Sequence, residues 1–260
     1  RPTFVSLVDE TGTGEDVLRK LKSHKVNVDY IRRTPNGIGT WLAVFNNDGD
    51  VAASISKRPD LSPIAAILDE QGDEIFSQAD SIIIEIDLEK EIIKRVFRLA
   101  NKYHKKVFAV VSNMSIALER RDFLMKVDCF VCNQQEAGIL FSADYSAETP
   151  DSLMEIIAEK TKAACINSLI VTMGSAGAVY ADCNGHFGHC LARTVQVKDT
   201  TGAGDAFCAG AAIGLTYGKD LAQACEIGAH LASSVIVTAE SVCPRFRPRE
   251  LGLDIDVRED

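Results

Sequence analysis

The sequence predicts an α/β fold, a three-layer α/β/α sandwich with a small additional β-sheet. After Pro59, apolar segments of strand length alternate with amphipathic segments of helix length. The strand segments are continuously apolar, which is typical of a parallel, Rossmann-type sheet covered by helices on both faces. Before Pro59, two strand-like segments flank a polar, glycine-containing loop at residues 46–50, which is typical of an antiparallel hairpin.

The individual elements follow from these patterns in chain order. Strands are predicted where apolar residues alternate or run together, at residues 4–8, 26–31, 40–45, 51–56, 81–86, 106–111, 128–132, 168–172 and 194–197. Helices are predicted where apolar residues recur every three to four positions, at residues 14–23, 89–103, 116–125, from 134 onward, 152–164, 204–217 and 221–237. Residues 176–197 are predicted to be rich in strands, with turns at Gly185 and Gly188.

Composition and charge narrow the classes of function. The chain has 260 residues, 46% of them hydrophobic, and a net charge of −9. This composition predicts a globular domain, and the absence of a dense basic run argues against a nucleic-acid partner. Apolar runs are too short for a transmembrane helix, and no signal peptide is visible, so we expect a cytoplasmic protein without a membrane partner. Because the chain starts at Arg1 inside a strand-like segment, we expect an N-terminal portion to precede it.

The eight cysteines are scattered, and only Cys129 and Cys132 are closely spaced. These two lie in an apolar strand, where residues three apart point to opposite faces, and no histidine is nearby. A zinc or redox site is therefore not expected. We interpret the cysteines as reduced, packed thiols of a cytosolic protein.

A glycine-containing loop at residues 198–207 connects a predicted strand to a predicted helix. Gly202 and Gly204 allow the backbone to approach a ligand closely, and free amides of a first helical turn favour an anion. The carboxylate of Asp205 is unusual at such a site, because its negative charge repels an anion. It is either an ordinary helix N-cap or a general base that takes a proton from an attacking hydroxyl.

The string Asp199-Thr200-Thr201-Gly202-Ala203-Gly204-Asp205-Ala206-Phe207 closely resembles the C-terminal signature of the ribokinase-like (phosphofructokinase B) carbohydrate kinases. The resemblance implies that Gly202, Ala203 and Gly204 hold the transferring phosphoryl group. It also implies that Asp205 is the catalytic base.

A second motif precedes this loop. Asn133 follows a predicted strand and Glu136 lies three residues later, which alone predicts a helix-capping box. The family carries an Asn-x-x-Glu motif here, and the resemblance implies that Asn133 and Glu136 organise Mg²⁺ and phosphates, partly through water. Amide and carboxylate oxygens suit this hard cation, and the two interpretations are compatible.

Further positions are assigned by the resemblance to nucleotide and cation binding. Thr172, Gly174 and Gly177 match a Thr-x-Gly-x-x-Gly string that lines the nucleotide site, although glycines here would also make a simple hairpin. His230 matches a position near the adenine, with a purely structural histidine as the alternative. Asp199 and Thr201 match positions that bind a monovalent cation, K⁺, in some members, whereas residues 241–244 match poorly.

The resemblance implies one ribokinase-like kinase domain over residues 1–260, with lid strands within about residues 26–57. It implies in-line transfer of a phosphoryl group from ATP to a hydroxyl of a sugar or sugar-like molecule, with Mg²⁺ and, in some members, K⁺. Lid edges often pair between subunits, so a homodimer through the lid is expected. The family's N-terminal sugar-binding motifs are not found in residues 1–60, and Ser112 to Ser115 replace its usual Asp-Pro-type turn.

Three alternatives remain open at this stage. A nucleoside kinase of the same fold, of pseudouridine or adenosine type, would share every residue named above. A catalytically silent nucleotide-binding protein is favoured by the missing sugar motif and disfavoured by Asp205. A dinucleotide-dependent oxidoreductase would need a third glycine after Gly12 and Gly14, which the sequence lacks at the required spacing.

Overall fold

The computed structural model describes residues 1–45, 51–243 and 247–253. The chain forms two compact units, one of residues 1–78 with 89–103 and the other of residues 79–88 with the described residues from 104 onward. The predicted hairpin loop at residues 46–50 lies outside the described residues. Pro244, the last residue of the segment 241–244 that matches the family's cation-binding positions poorly, lies outside them as well. In the described part of the chain, none of the helices combines the length and apolarity that a membrane crossing requires.

In its described residues, the first unit contains short strands and three helices. In chain order its elements are β1 (Ser6–Val8), α1 (Gly12–Ser23), β2 (Ile31–Arg33), β3 (Thr40–Phe45), β4 (Val51–Lys57), α2 (Ser62–Gln78) and α3 (Lys90–Lys102). Helix α2 is not among the predicted elements. Its Gly72 lies where an added Cβ would stand 2.5 Å from the Leu99 side chain of α3, so the Leu99 side chain packs closely over this glycine.

The strands of the first unit form two separate pairs. β3 and β4 pair antiparallel, as the hairpin prediction requires. The strand predicted at residues 26–31 is wrong: the strand starts at Ile31 and pairs in parallel with β1 rather than joining the hairpin. Asn27 makes only an isolated bridge to Thr3, and the pairing shifts by one residue before Ile31 pairs with Ser6, so no continuous ladder forms over residues 26–31.

The second unit is built on a six-stranded sheet. In chain order its elements are β5 (Ser81–Glu85), β6 (Lys106–Val110), α4 (Met114–Leu118), α5 (Arg121–Leu124), β7 (Cys129–Asn133), α6 (Gln134–Phe141), α7 (Pro150–Ala163), β8 (Ser168–Thr172), β9 (Ala178–Asp182), β10 (Phe187–Cys190), α8 (Ala203–Thr216) and α9 (Leu221–Ile236). The strand order is β10-β9-β8-β7-β6-β5. β5 to β8 are parallel to one another, and β9 is antiparallel to both of its neighbours, β8 and β10. β10 therefore runs in the same direction as β5 to β8, and the carboxyl ends of these five strands share one edge.

The strand predicted at residues 194–197 is wrong. These residues form no ladder; the next backbone amide, that of Lys198, donates to the carbonyl of Ile236 at the end of α9, at 2.8 Å. An alternating pattern therefore marks an extended segment here, but extended backbone becomes a strand only where a neighbour offers free donors and acceptors.

Helices α8 and α9 pack against each other through small residues. An added Cβ at Gly210 would lie 2.8 Å from the Cα of Gly228, and one at Gly214 would lie 3.0 Å from the Cα of Ala224. The apolar side of α8, including Phe207, is buried in the same core cluster as Phe108 and Val131 of the sheet. This packing fixes the position of the α8 N-terminus relative to the sheet.

Candidate active site

Helix α8 runs antiparallel to the first strands of the sheet. Ser81, at the start of β5, shares a 2.7 Å hydrogen bond with Thr216 at the end of α8. Lys106, at the start of β6, reaches the carbonyl of Leu215 at 3.4 Å. Because the C-terminus of α8 is tied to the amino ends of these strands, its first turn lies at their carboxyl edge. Ligands of open α/β sheets bind at this edge.

The loop before α8 has the conformation that its glycines predict. Gly202 has φ +81°, a left-handed conformation, and a Cβ on it would overlap the carbonyl of Ser241. The amide of Ala203 donates to the carbonyl of Thr200 at 3.1 Å, and that of Ala206 donates to the carbonyl of Gly202 at 2.9 Å. The Ala203 amide is therefore already used within the loop.

The neighbouring amides remain available for a ligand. Among the described residues, the amides of Gly204 and Asp205 have no hydrogen-bond acceptor, as expected for the first turn of a helix. A Cβ on Gly204 would meet nothing within 4 Å, so the backbone faces open space there. The Asp205 side chain is exposed in the same turn. These features fit an anionic group of the size of a phosphoryl.

The structure brings Asp199 and Thr201 together at the start of this loop. The Asp199 Oδ1 accepts a hydrogen bond from the Thr201 amide at 2.8 Å. Hydrogen bonds from the Thr201 amide and side chain hold the pKa of Asp199 below its ordinary value, so the carboxylate stays charged. In the structure Asp199 therefore stabilises a turn, and cation binding at Asp199 and Thr201 stays a prediction.

Asn133 and Glu136 form the predicted capping box at the start of α6. The Asn133 Oδ1 accepts from the Glu136 amide at 2.8 Å, and the Glu136 Oε2 accepts from the Asn133 amide at 2.7 Å. Burial raises the pKa of Glu136, and the hydrogen bond from the Asn133 backbone opposes that rise. No group of three or more acidic, histidine or cysteine side chains suited to a metal occurs in the described ranges. A cation here would thus need water or phosphate oxygens as further ligands.

The sheet register brings Thr172 next to Asn133. The two residues are paired at the carboxyl ends of β7 and β8, and Thr172 Oγ1 donates to the Cys132 carbonyl at 3.4 Å. Gly174 has φ +56° and a Cβ there would meet nothing within 4 Å, which suits close approach of a ligand. The surroundings of Gly177 differ from those of Gly174, because a Cβ on Gly177 would overlap the Cys190 carbonyl of β10. Packing is therefore a sufficient reason for a glycine at this position, without any ligand.

His230 lies half-buried in α9, six residues before the helix ends at Ile236. Burial, followed by the nearby positive charge of Arg193, lowers the pKa of His230, so the ring is uncharged at neutral pH. Within the described ranges, its ring makes no hydrogen bond. An uncharged ring with free nitrogens suits a heteroaromatic partner, and its role near adenine stays a prediction.

The sequence analysis missed Glu85 and Asp87. Glu85 is the last residue of β5, and Asp87 follows as a buried acid, 4% exposed. The Ser112 hydroxyl donates to Glu85 Oε1, and Asn113 caps α4 by accepting from the Ile116 amide at 3.3 Å. Two acids at the end of an apolar strand were the available signal, because parallel strands place such residues at the ligand-binding edge.

A profile described as pfkB family carbohydrate kinase matches residues 1–244. This chain belongs to the pfkB family of carbohydrate kinases. The guanosine-inosine kinase of Exiguobacterium acetylicum is 33% identical over 240 residues, which are 92% of this chain and 78% of that protein. The ribokinase of Schizosaccharomyces pombe is 24% identical over 239 residues, 90% of this chain and 73% of that protein.

Solved structures show the same fold. Arabidopsis thaliana ribokinase, complexed with ribose and ATP, superposes with a TM-score of 0.78 at 21% identity, covering 96% of this chain and 80% of that one. The predicted α/β sandwich is thus confirmed. Membership of the pfkB kinase family and the similarity to nucleoside and sugar kinases confirm the predicted ATP-dependent kinase activity, and they exclude the oxidoreductase alternative.

Proposed function

We propose that this pfkB kinase transfers the γ-phosphoryl group of ATP to a hydroxyl of a sugar or nucleoside, with Asp205 as the general base. The observation that supports this most directly is the first turn of α8. There an exposed carboxylate stands beside an open backbone position at Gly204 and two amides that have no acceptor among the described residues. A catalytically silent protein would not need an acid at an anion site, where it repels the ligand.

Asp205 would accept the proton of the acceptor hydroxyl as that oxygen attacks the phosphorus. General base catalysis of this kind contributes about 10²–10⁴-fold to the rate. The amides of Gly204 and Asp205 and the positive end of the α8 dipole would stabilise negative charge on the phosphoryl oxygens. Gly202 would hold the loop in the left-handed conformation that presents these amides.

When bound, Mg²⁺ would supply positive charge that offsets the negative charge of the phosphates. Asn133 and Glu136 would hold it, partly through water, because both offer the oxygen donors that this ion prefers. Thr172 and Gly174, at the adjacent strand end, would contact the nucleotide, and His230 would lie near the adenine. Asp199 and Thr201 would contribute to a K⁺ site in the same loop.

The acceptor that we propose to test first is a purine nucleoside. The supporting observation is the 33% identity to a guanosine-inosine kinase, against 24% to a ribokinase over a similar length. The nine-percentage-point difference indicates closer descent from a nucleoside kinase. Sugars such as ribose form the second acceptor class.

We further propose that β3 and β4 act as a lid and that their edges pair two copies of the chain. Trp41, Leu42 and Ile55 on this hairpin are 60%, 60% and 71% exposed, more apolar surface than an isolated hairpin is expected to leave in water. All eight cysteines are free thiols, and five of them are buried as expected, whereas Cys165 and Cys183 are exposed. Free thiols support a reducing, cytoplasmic compartment. Sedimentation of the purified protein should give a dimer mass, and a monomer at micromolar concentration would contradict the pairing.

A substrate panel tests the function. The purified protein is incubated with ATP, Mg²⁺ and one acceptor at a time (guanosine, inosine, adenosine, pseudouridine, ribose or deoxyribose), and ADP and phosphorylated product are measured. We expect one acceptor to give product in equal amount to ADP. Tight ATP binding with no phosphorylated product from any acceptor would favour the catalytically silent alternative.

A further inference from the structure

Arg193 lies in the extended segment that connects β10 to the loop before α8. The residue before it, Ala192, lies against the turn between β8 and β9, because a Cβ on Gly177 would stand 2.8 Å from the Ala192 amide. β10 holds the same turn through a side chain, since His189 Nε2 donates to the Ala176 carbonyl at 2.6 Å. Arg193 therefore leaves the sheet beside the turn that is proposed to contact the nucleotide.

From Arg193 the segment runs alongside helix α9. Five residues later, the Lys198 amide donates to the Ile236 carbonyl at the end of α9, at 2.8 Å. The loop before α8 starts at this contact. His230 lies six residues before Ile236, which is about 9 Å along the helix axis. Because five extended residues span at most about 17 Å, the segment is long enough to bring Arg193 level with His230.

The charge of Arg193 acts on His230. Burial lowers the pKa of His230 most, the positive charge of Arg193 lowers it further, and the negative charge of Glu250 opposes both. The guanidinium and the ring therefore lie within electrostatic reach of each other. Arg193 is exposed, and among the described residues its side chain has neither a hydrogen bond nor an ion pair. A guanidinium in this state, beside an uncharged ring, is available to a ligand.

The hydrogen-bonding groups of Arg193 distinguish between purine bases. A guanidinium offers five N–H donors in a planar fork and no acceptor. Guanine matches this fork with two adjacent acceptors, N7 and O6, whereas adenine presents N7 beside an amino group that is itself a donor. The uncharged ring of His230 has one donor and one acceptor and so suits either base. Arg193 therefore favours a purine with an oxygen at position 6.

We propose that Arg193 binds the base of the phosphoryl donor, and that this kinase accepts guanine nucleotides such as GTP in addition to ATP. This inference rests on the proposed function, in which the base of the donor lies near His230. With GTP, the acceptor oxygen forms the new bond to the γ-phosphorus and Asp205 takes the proton of that oxygen. The bond from the γ-phosphorus to the bridging oxygen breaks, and GDP leaves.

The test measures kcat/KM for ATP, GTP and ITP with the best acceptor, in wild type and in Arg193→Ala. We expect wild type to use GTP with a kcat/KM within about tenfold of that for ATP. Arg193→Ala should lose about 10- to 100-fold in kcat/KM for GTP, because a bidentate pair is removed. ITP carries the same N7 and O6 atoms and should lose as much, while the value for ATP should change less than about threefold.

Further measurements separate recognition of the base from charge and from folding. Arg193→Lys keeps the positive charge without the planar fork, so it should not restore the use of GTP. Inorganic tripolyphosphate has no base and should inhibit wild type and Arg193→Ala equally. Lys160→Ala is the matched control, since it removes an exposed cation on α7, and it should leave kcat/KM unchanged for every donor.

The outcomes distinguish this inference from the proposed function. An active wild type that uses ATP but not GTP would overturn this inference alone, and so would GTP use that is unchanged in Arg193→Ala. Equal losses for ATP and GTP, with weaker inhibition by tripolyphosphate, would also overturn it, because they would place the guanidinium at the phosphates. A wild type that phosphorylates no acceptor with any donor would overturn the proposed function, and this inference with it.

Discussion

Asn133 and Glu136 are joined by two reciprocal hydrogen bonds, of 2.8 and 2.7 Å, each from the backbone amide of one residue to the side chain of the other. The pair starts α6 at the carboxyl end of β7, beside Thr172. One pair of residues thus both caps a helix and presents oxygen atoms at the candidate nucleotide site. Substitutions can separate these two roles.

Asn133→Ala removes the cap and should lower the free energy of unfolding by about 1 kcal/mol. Glu136→Gln keeps an acceptor for the Asn133 amide, so stability should be retained. It removes the charge, however, and should weaken the apparent Mg²⁺ affinity by about 10- to 100-fold, as outer-sphere substitutions do. Thermal unfolding and Mg²⁺ titration of activity measure the two effects. If the activity of wild type and of Glu136→Gln depended equally on the Mg²⁺ concentration, Glu136 would have a capping role and no role in Mg²⁺ binding.

The pH dependence of activity follows from the raised pKa of Glu136. Because Mg²⁺ requires the charged carboxylate, activity at limiting Mg²⁺ should fall as the pH drops through this raised pKa, above the ordinary glutamate value of about 4.3. Stability has the opposite sign: the contribution of a carboxyl with a raised pKa is present at low pH and is lost as the pH rises through that pKa. Glu136→Gln should therefore flatten the acid limb of the rate profile without lowering stability at neutral pH. An unchanged acid limb would contradict this assignment.

The two loop glycines should respond differently to alanine. Gly202→Ala places a side chain in a left-handed conformation against the Ser241 carbonyl, so it should cost at least about 1–2 kcal/mol of stability. Gly204→Ala meets no protein atom within 4 Å, so its stability should be unchanged or improved. Its methyl group would occupy space proposed for the phosphoryl group, and turnover should fall about 10²-fold.

Gly12→Ala is the matched control, since Gly12 is also a first-turn helical glycine with open space around it. It should retain full turnover. Thermal unfolding and kcat of the three variants give the comparison, and a fully active Gly204→Ala would show that no ligand approaches this position.

The contact between α8 and α9 should be sensitive to volume. Gly210→Ala would bring a methyl group to 2.8 Å from Gly228, so the helices must separate. Overpacking of this kind typically costs about 1–3 kcal/mol. Because α8 carries the loop, kcat should fall together with the melting temperature. Denaturant unfolding measures the cost, and a variant as stable as wild type would indicate that the helices can move apart freely.

Local patterns predicted the elements whose partners are also local. Strand β8 has the predicted boundaries, residues 168–172, and α8 starts within one residue of its prediction. The capping box at Asn133 was predicted because its hydrogen bonds span three residues. Family membership was predicted from residues 199–207 for the same reason, because the residues that would bind and transfer a phosphoryl group are consecutive in this loop.

Features that depend on distant partners were not predictable from one sequence. The alternation at residues 194–197 and 26–31 gave no information on whether a partner strand was present. Helix α2 was not among the predicted elements, and its Gly72 packs against Leu99 on another helix, a contact that a local pattern does not show. Glu85 and Ser112 are 27 residues apart, and only the register of β5 and β6 brings them together.

The central claim is that Asp205 deprotonates the acceptor. The most direct measurement is the turnover of Asp205→Asn on the best acceptor, with ATP affinity measured by calorimetry on the same protein. The matched control is Asp151→Asn, which changes an exposed acid in the first turn of another helix. We predict that Asp205→Asn loses about 10²–10⁴-fold in kcat and retains ATP binding, while the control is unaffected. Near-parental turnover of folded Asp205→Asn would contradict the account.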